Sequence, residues 1–209
     1  IGLWDLSNKK IVIDANIYMY KYLGENALLE NMYLMICILK QYNIVPLFVF
    51  DGKPPKEKEN LLKERKNNKT IAENEYNILK DNLNDTNDEE QNQLIKSNMI
   101  SLKKKFIRLH HTDIQHVKKL LQCLGVSYIV APGEADKLCA SIVNNNFAYA
   151  CLSEDMDLFV YGCKRVLRYL SLVNKNIIIY HLKQILNEID MNFIDFKNIC
   201  IISGTDYNI

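Results

Sequence analysis

Long apolar runs are missing from this sequence of 209 residues. A helix that crosses a membrane needs about 20 predominantly apolar residues in succession, and no stretch of the chain approaches that length. No secretory signal peptide is recognisable either, although the chain opens at Ile1 rather than at a methionine. The sequence therefore excludes a membrane-spanning class, and we expect no membrane partner.

Paired cysteine motifs are also missing. The six cysteines include no C-x-x-C pair, and most lie between apolar neighbours, as in "MICIL" and "NICII". Such cysteines are typical of reduced, buried thiols rather than of a disulfide framework or a zinc site. This pattern predicts a protein of an intracellular, reducing compartment.

Four short apolar, β-branched runs are present and are separated by helical patterns. With 48% hydrophobic residues the chain can bury a full core. The runs are "KKIVIDAN", "NIVPLFVFDGKPP", "VSYIVAPGEAD" and "FAYACLSEDMD". Continuous apolar strands that alternate with helices predict an α/β fold, with a parallel sheet covered by helices on both faces.

Three segments between these runs have helical signals. Apolar residues recur at helical spacing in "ALLENMYLMICILKQYN", and they are Leu28, Met32, Met35, Ile36 and Leu39. "TDIQHVKKLLQCLG" predicts a helix with Thr112 or Asp113 as N-cap and Gly125 at its C-terminal end. "EADKLCASIVNNN" predicts a further helix.

A polar insertion interrupts the alternation from Lys56 to about Met99. An insertion of this length is usually functional or disordered. "KEKENLLKERKNNK" is compatible with a polar helix, whereas "DNLNDTNDEEQNQ" is typical of a solvated or mobile loop. We expect a first α/β region at 1–55, a helical cap at 56–110 with a mobile tip over 80–93, and a second α/β region at 111–209.

Acidic residues follow the apolar runs at the points where the strands are expected to end. Ligands gather outside the carboxyl ends of strands in open parallel sheets, so these acids are expected to share one edge. Such an acid is often only an N-cap, and "EDMD" taken alone is often a solvated loop, but repetition at successive strand ends favours a site. The seven acids are Asp14, Asp51, Glu134, Asp136, Asp155, Asp157 and Asp206.

Seven clustered carboxylates need cations, because neighbouring like charges suppress one another's ionisation. Carboxylate oxygens with retained waters are the ligands that Mg²⁺ prefers, and Mn²⁺ can substitute for it. Two ions about 3.5–4 Å apart suit in-line displacement at a phosphodiester. Without the seven acids, 26 bases face 18 acids, an excess that suits a polyphosphate partner. Lys58 and Arg65 are two helical turns apart and share a face.

"VIDAN", "FVFDGKPP", "APGEAD", "SEDMDLFVYG" and "IISGTDY" together resemble the motifs of the flap endonuclease (XPG-type) family of structure-specific 5′ nucleases, in the family's order. "GLWDL" resembles the start of that family. The resemblance implies a twisted, mainly parallel sheet between helices, a PIN-like 5′-nuclease fold with a helical gateway and cap. It also implies a Mg²⁺-dependent nuclease that cleaves DNA at 5′ flaps, nicks and 5′ ends during replication or repair, in the nucleus or another compartment that contains DNA.

The resemblance carries over to individual residues. It places Asp14, Asp51, Glu134 and Asp136 around one metal ion, and Asp155, Asp157 and Asp206 around a second. It makes Lys58 and Arg65 the cations that contact the scissile phosphate. The expected nucleic-acid-binding residues are Tyr20, on which a nucleotide would stack, and Lys53, Lys103, Lys104 and Lys105.

Some features depart from the family pattern or leave alternatives open. Asp136 stands where the family more often has Glu, and neither the family's helix-hairpin-helix nor a C-terminal tail for a sliding clamp is present in the chain. An aspartate-nucleophile phosphatase using "DMD" is a second hypothesis, although it leaves four of the acids unexplained. A non-catalytic relative that binds nucleic acid is a third, and nothing in the sequence excludes RNA as substrate.

Overall fold

The four predicted strands form, and they lie side by side in one sheet. The structure is a computed structural model that describes residues 1–85 and 89–204. The sheet has the strand order β3-β2-β1-β4-β5-β6. The strands are β1 (Lys10–Asp14), β2 (Val45–Phe50), β3 (Ser127–Val130), β4 (Ala150–Leu152), β5 (Arg165–Ser171) and β6 (Asn176–His181).

The first five strands run in parallel and so bring their carboxyl ends to one edge. Strand β1 pairs in parallel with β2 on one side and with β4 on the other. Strand β3 extends the sheet beyond β2, and β5 extends it beyond β4, again in parallel. The mainly parallel sheet predicted from the sequence is therefore confirmed.

Strands β5 and β6 form a hairpin that the sequence analysis does not predict. Strand β6 pairs antiparallel with β5 and closes that end of the sheet. The register shifts between Arg168 and Ser171, and Tyr169 within this irregularity has a left-handed backbone with φ of 57°. A bulge of this kind bends a strand and turns a backbone group away from the ladder.

The helices cover both faces of the sheet. Ile11 and Ile13 on β1 pack into one core with the helices before β2 and β3, while Val12 packs into the other with the helices after β3 and β4. The nine α-helices of the described residues are α1 (Ala15–Gly24), α2 (Leu28–Gln41), α3 (Glu59–Asp85), α4 (Glu89–Lys105), α5 (His111–Cys123), α6 (Ala135–Asn144), α7 (Asp157–Val160), α8 (Leu182–Glu188) and α9 (Phe193–Ile202). Two short 3₁₀ helices, Leu3–Leu6 and Lys56–Lys58, complete them.

The predicted helices α2, α5 and α6 are confirmed, with one change at a helix start. All five apolar residues of the predicted α2 stripe are buried. The N-cap of α5 is His110, and not Thr112 or Asp113. The carboxylate of Asp113 lies in the first turn and accepts a hydrogen bond from the His110 amide at 2.9 Å, which stabilises an earlier start. Gly125 follows the end of α5 with φ of 63°, as its predicted role requires.

The polar insertion forms two helices, α3 and α4, that pack against each other. The rings of Tyr76 on α3 and Phe106, directly after α4, lie 5.4 Å apart. The insertion is therefore helical, and the loop predicted over residues 81–93 is wrong for 81–85 and 89–93. Helix-to-helix packing supplies stability that local composition does not reveal. Residues 86–88 lie outside the described part, and mobility of the tip stays a prediction.

The apolar run before Asp206 folds as helix α9 rather than as a strand. Asp206 itself lies outside the described residues. Every helix in the described ranges is too short or too polar to span a bilayer. All six cysteines are free thiols, as predicted; Cys139, Cys151 and Cys163 are buried, whereas Cys123 is exposed.

Candidate active site

A cleft of about 180 Å³ lies at the carboxyl edge of the sheet and gathers the predicted acids. Each of the six predicted acids in the described part of the chain lines it, as do both predicted phosphate-contacting cations and the predicted stacking tyrosine. The lining residues are Asp14, Asn16, Ile17, Tyr20, Asp51, Lys58, Arg65, Glu134, Asp136, Asp155, Asp157 and Tyr161.

Asp14 is the most deeply placed of these acids, with only 4% of its surface exposed. It ends β1 and caps helix α1, because its Oδ1 accepts hydrogen bonds from the amides of Asn16 at 3.1 Å and Ile17 at 3.3 Å. Its Oδ2 accepts a hydrogen bond from the Ser153 hydroxyl at 3.1 Å. Burial, with added repulsion from Asp51, raises the pKa of Asp14 to about 7.

Asp51 follows β2 and is held between two helix starts. Its Oδ2 accepts a hydrogen bond from the Asn16 side-chain amide at 2.6 Å, and its Oδ1 accepts one from the Ala135 amide at 2.8 Å. The second bond satisfies an amide that the first turn of α6 leaves without a helical partner. Desolvation by its neighbours nevertheless raises the pKa of Asp51.

Gly52 allows the turn after β2 to approach the turn after β3. Its amide donates a hydrogen bond to the Gly133 carbonyl at 2.7 Å. A Cβ atom at Gly52 would lie 1.9 Å from the Ala131 carbonyl oxygen, which is far inside van der Waals contact. A side chain is therefore excluded at the point that sets Asp51 beside Glu134.

Glu134 and Asp136 line the cleft from the first turn of α6. Side chains two positions apart can point to one site only in the first turn of a helix. Glu134 is the N-cap of α6, and Asp136 lies in its first turn. Oδ1 of Asp136 is buried without a hydrogen-bond partner. Burial raises the pKa of Asp136 to about 8, and repulsion from Asp14, Asp155 and Asp51 adds to the shift.

Asp155 lies in the turn between β4 and α7, and Asp157 is the first residue of α7. The Ser153 hydroxyl, which donates to Asp14, also accepts a hydrogen bond from the Asp155 amide at 3.1 Å. Oδ1 of Asp155 in turn accepts a hydrogen bond from the Asp157 amide at 2.8 Å. Ser153 therefore couples the acid at the end of β1 to the acids after β4.

Lys58 and Arg65 reach the cleft from the insertion. Lys58 is buried, with 7% of its surface exposed, and its Nζ forms an ion pair with Oε1 of Glu134 at 2.6 Å. Arg65 is exposed on α3 and lines the same cleft. Both cations therefore line the cleft together with the acids, Lys58 from the end of the 3₁₀ helix and Arg65 from α3.

A second, basic cavity of about 440 Å³ adjoins the first and shares Tyr20 and Arg65 with it. The Nζ atom of Lys69 lies 5.1 Å from the centre of the Tyr20 ring, whose exposed fraction is 41%. The cavity is lined by Tyr20, Leu62, Arg65, Lys66, Lys69, Arg108 and Leu109. Of these, the sequence analysis singled out only Tyr20 and Arg65.

The other predicted nucleic-acid-binding residues lie outside the cleft. Lys53 is exposed beside Gly52, and Lys103, Lys104 and Lys105 are exposed at the end of α4. Nζ of Lys103 donates a hydrogen bond to the Asn26 side chain at 3.2 Å. Their role in binding stays a prediction.

Two polar residues of the site were missed in the sequence analysis. Asn16 contacts Asp51, and Ser153 contacts Asp14. Asn16 stands in the quoted motif "VIDAN" and Ser153 in "SEDMDLFVYG", but neither is an acid, so the search for carboxylates passed over them. Their positions inside the motifs were the available signal.

The donor set fits divalent cations. Across residues 1–85 and 89–204 no three acidic, imidazole or thiol groups converge closely enough to hold an ion as they stand. The chemistry still calls for one, because Asp14 and Asp136 bind protons up to near-neutral pH without a cation and Oδ1 of Asp136 has no partner. A hard divalent ion would satisfy that oxygen and would favour the ionised carboxylates.

Two family models match the chain. One family model, the XPG N-terminal domain, matches residues 2–72, and a second, the XPG I-region, matches residues 125–206.

The chain belongs to the XPG-type flap endonuclease family.

It is 32% identical to flap endonuclease 1 of Methanococcus aeolicus, over all of this chain and 66% of that protein. It is 28% identical to flap endonuclease 1-B of Xenopus laevis, over 95% of this chain and 54% of that protein. The chain thus spans between half and two thirds of the length of these relatives.

Solved structures of the family share the fold. Flap endonuclease-1 from Methanococcus jannaschii has a TM-score of 0.67 and 25% identity, over all of this chain and 68% of that one. The catalytic core of Rad2, solved in complex with a DNA substrate, has a TM-score of 0.73 and 23% identity, over all of this chain and 58% of that one. The predicted PIN-like 5′-nuclease fold is confirmed.

Proposed function

We propose that this chain is the catalytic part of a divalent-metal-dependent, structure-specific 5′ nuclease that hydrolyses phosphodiester bonds in DNA. The observation that carries the proposal is the single cleft in which six carboxylates from four strand ends meet two cations and a tyrosine. Family membership and the likeness to a Rad2 core solved with DNA substrate support the same activity.

Mg²⁺ is the proposed cofactor, with two ions in the cleft and Mn²⁺ as a substitute. Asp14, Asp51, Glu134 and Asp136 would hold one ion, and Asp155 and Asp157 would hold the second, with Asp206 as a further proposed ligand outside the described residues. When bound, such ions supply a hydroxide nucleophile at neutral pH and stabilise negative charge on the phosphate. Asn16 and Ser153 orient the carboxylates of Asp51 and Asp14 through their hydrogen bonds.

Lys58 and Arg65 are the proposed electrostatic catalysts. Their positive charges line the same cleft as the acids, where the scissile phosphate would bind. Preorganised cations aimed at developing charge stabilise a transition state more than they stabilise the bound substrate. The ion pair with Glu134 fixes the position of the Lys58 ammonium before substrate arrives.

The basic cavity beside Tyr20 is the proposed contact with the nucleic-acid backbone. Two arginines and two lysines line it, so phosphates that continue from the scissile bond would meet positive charge. Tyr20 stands at the boundary of both cavities, where its exposed ring could stack on a base. The proposed substrates are DNA molecules with a 5′ flap, a nick or a free 5′ end.

The phosphatase and the non-catalytic alternatives are not favoured. A phosphatase would need only the two acids of "DMD", whereas the cleft also contains Asp14, Asp51, Glu134 and Asp136. A relative that had lost catalysis would have lost such ligands, and here every described one remains. Both hypotheses predict no cleavage of DNA, so one experiment separates them from the proposal.

The test is digestion of 5′-labelled flap, nicked, single-stranded and RNA substrates by the 209-residue chain, with Mg²⁺ or with EDTA. We expect Mg²⁺-dependent cleavage of the flap and nicked DNA and none in EDTA. Asp157→Asn, which removes a charge at nearly constant shape, serves as the inactive control. Cleavage in EDTA, or equal cleavage by this variant, would contradict the metal mechanism. Preferential cleavage of RNA would contradict the proposed substrate.

A further inference from the structure

Arg168 on strand β5 contacts the turn that carries Asp155 and Asp157, although it does not line the cleft. Its Nη2 donates a hydrogen bond to the Glu154 backbone carbonyl at 3.1 Å, and its Nε lies 3.6 Å from Oε2 of the Glu154 carboxylate. Its Nη1 contacts the sulfur of Met156. One guanidinium thus contacts the residue before Asp155 and the residue after it.

The bulge in β5 adds a second connection to the same turn. Oε1 of Glu154 accepts a hydrogen bond from the Tyr169 backbone amide at 2.8 Å. Tyr169 has the left-handed φ of 57°, which an L-residue with a side chain adopts only at a cost in energy. Its ring lies against the Arg168 guanidinium, with 4.7 Å between the ring centre and Cζ.

Two of these contacts are charge-assisted hydrogen bonds, from Nη2 of Arg168 to the Glu154 carbonyl and from the Tyr169 amide to the Glu154 carboxylate. Nε of Arg168 is buried and has no hydrogen-bond partner among the described residues, so its contact with Oε2 of Glu154 at 3.6 Å is an ion pair only. Only 14% of the Arg168 side chain and 26% of the Glu154 side chain are exposed. Hydrogen bonds to ionised groups are about twice as strong as neutral ones, and the flat guanidinium holds two or more acceptors in fixed directions. The turn is therefore fixed from outside the cleft, while Ser153 fixes it from inside.

We propose that Arg168, acting with Glu154, is a positioning residue that holds Asp155 and Asp157 in the geometry needed to bind metal. The inference rests on the proposed function, because it assigns those two acids to a cation. Arg168 acts through the turn and touches neither the metal nor the DNA. Groups that orient metal ligands typically change metal affinity by about 10–100-fold when they are removed.

Arg165 provides a matched control on the same strand. It begins β5, at the opposite end of the sheet from the acids. Like Arg168, it stacks on a tyrosine, with 4.5 Å between its Cζ and the centre of the Tyr149 ring, and it donates a hydrogen bond to a backbone carbonyl, that of Tyr149. Arg165→Met therefore removes a similar set of contacts without affecting the turn at Asp155.

The decisive measurement is calorimetric titration of the metal-free 209-residue chain with Mn²⁺. We expect Arg168→Met to weaken Mn²⁺ binding by about 10–100-fold and Arg165→Met to leave it unchanged. If wild type binds Mn²⁺ and Arg168→Met binds it equally well, the positioning role is overturned while the proposed function stands. If wild type binds no Mn²⁺, both are overturned. An equal loss in both arginine variants would also overturn the positioning role, since it would indicate a general effect on the sheet.

Two milder variants keep the test decisive if Arg168→Met fails to fold. Arg168→Lys keeps the charge but loses the planar donor arrangement, and Glu154→Gln keeps an acceptor for the Tyr169 amide but loses the charge. We expect both to fold, with melting temperatures near wild type, and to bind Mn²⁺ with affinities between those of wild type and Arg168→Met. Amide hydrogen exchange at Asp155 and Asp157 should be slowest in wild type, faster in these two variants and fastest in Arg168→Met. Wild-type affinity and exchange in both variants would overturn the proposal.

Discussion

The ammonium of Lys58 lies 2.6 Å from a carboxylate oxygen of Glu134, and this ion pair joins the polar insertion to the first turn of α6. The two residues are 76 positions apart in the chain and belong to different motifs. Lys58 ends the 3₁₀ helix that leads into α3, while Glu134 caps α6. The pair therefore fixes the start of the insertion directly over the acids, whatever the far end of the insertion does.

Lys58→Ala and Arg65→Ala test whether these cations act on the chemical step. We expect each variant to lower the single-turnover rate at saturating enzyme by about 10²–10³, because each removes a preorganised charge from the transition state. Affinity for DNA, measured in Ca²⁺ so that no cleavage occurs, should change far less. Rate and affinity are read from the same protein preparations.

Lys103→Ala is the matched control for that experiment. Lys103 is exposed at the end of α4, away from the lining of the cleft. Its loss should weaken DNA binding and leave the single-turnover rate unchanged. The slope of the logarithm of the binding constant against the logarithm of the salt concentration should fall by about one, as expected for one lost phosphate contact. Wild-type cleavage rates for Lys58→Ala and Arg65→Ala at saturation would show that both are ordinary surface charges.

Asp136→Asn should raise the stability of the metal-free protein and abolish its response to metal. Above about pH 8, where Asp136 is ionised despite its raised pKa, the substitution removes one charge from a crowded cluster, and Oδ1 of Asp136 has no hydrogen bond to lose. An increase of about 1 kcal/mol in the free energy of unfolding, from the lost repulsion, would raise the melting temperature by about 2–4 °C in a domain of this size. Scanning calorimetry above about pH 8, in EDTA and in Mg²⁺, measures both effects. A variant that melts below wild type in EDTA would contradict the idea that repulsion destabilises the empty site.

Much of this site follows from local sequence because its acids come directly after the strands. Asp14, Asp51 and Asp155 each follow an apolar run, and parallel pairing brings the ends of such runs to one edge. The first turn of α6 carries Glu134 and Asp136, as their spacing requires. These inferences need only the position of each strand end.

What could not be predicted depends on contacts between distant segments. Ser153 and Asp14 are 139 positions apart, and no local pattern marks their hydrogen bond. The β5–β6 hairpin was missed because its strands are partly exposed and carry arginines and tyrosines among the apolar residues. The helices over 81–85 and 89–93 were missed because their composition resembles that of a loop; they continue helices α3 and α4, which pack together through Tyr76 and Phe106.

The stability of the metal-free protein should fall as pH rises towards neutrality. Burial raises the pKa of Asp14 to about 7 and of Asp136 to about 8, whereas both return to an ordinary value near 3.8 on unfolding. Between these values the folded protein binds more protons than the unfolded chain, so the free energy of unfolding decreases with increasing pH. We expect a lower melting temperature in EDTA at about pH 8 than at about pH 5.5.

Mg²⁺ should oppose that decline, because it binds the ionised carboxylates and competes with protons. The rise in melting temperature on adding Mg²⁺ should therefore be larger at about pH 8 than at about pH 6. Asp136→Asn is the control, since it removes the group with the highest raised pKa of the cluster and should flatten the decline in EDTA. A wild-type melting temperature in EDTA that increases steadily across this pH range would contradict the assignment.

Gly52→Ala should misplace Asp51 relative to Glu134 and so slow the reaction more than it unfolds the protein. The new Cβ would lie 1.9 Å from the Ala131 carbonyl oxygen, so the turns after β2 and β3 must separate. A displacement of about 1 Å in a catalytic group can cost about 100-fold in rate, whereas overpacking typically costs about 1–3 kcal/mol in stability. We therefore expect a folded variant with a single-turnover rate about 100-fold below wild type and weaker Mn²⁺ binding.

Gly133→Ala is the matched control in the facing turn, because the nearest atom to its Cβ, the Lys53 carbonyl oxygen, is 4.0 Å away. It should cleave and bind Mn²⁺ like wild type, and equal losses in both variants would show that the close approach at Gly52 does not set the geometry of the site.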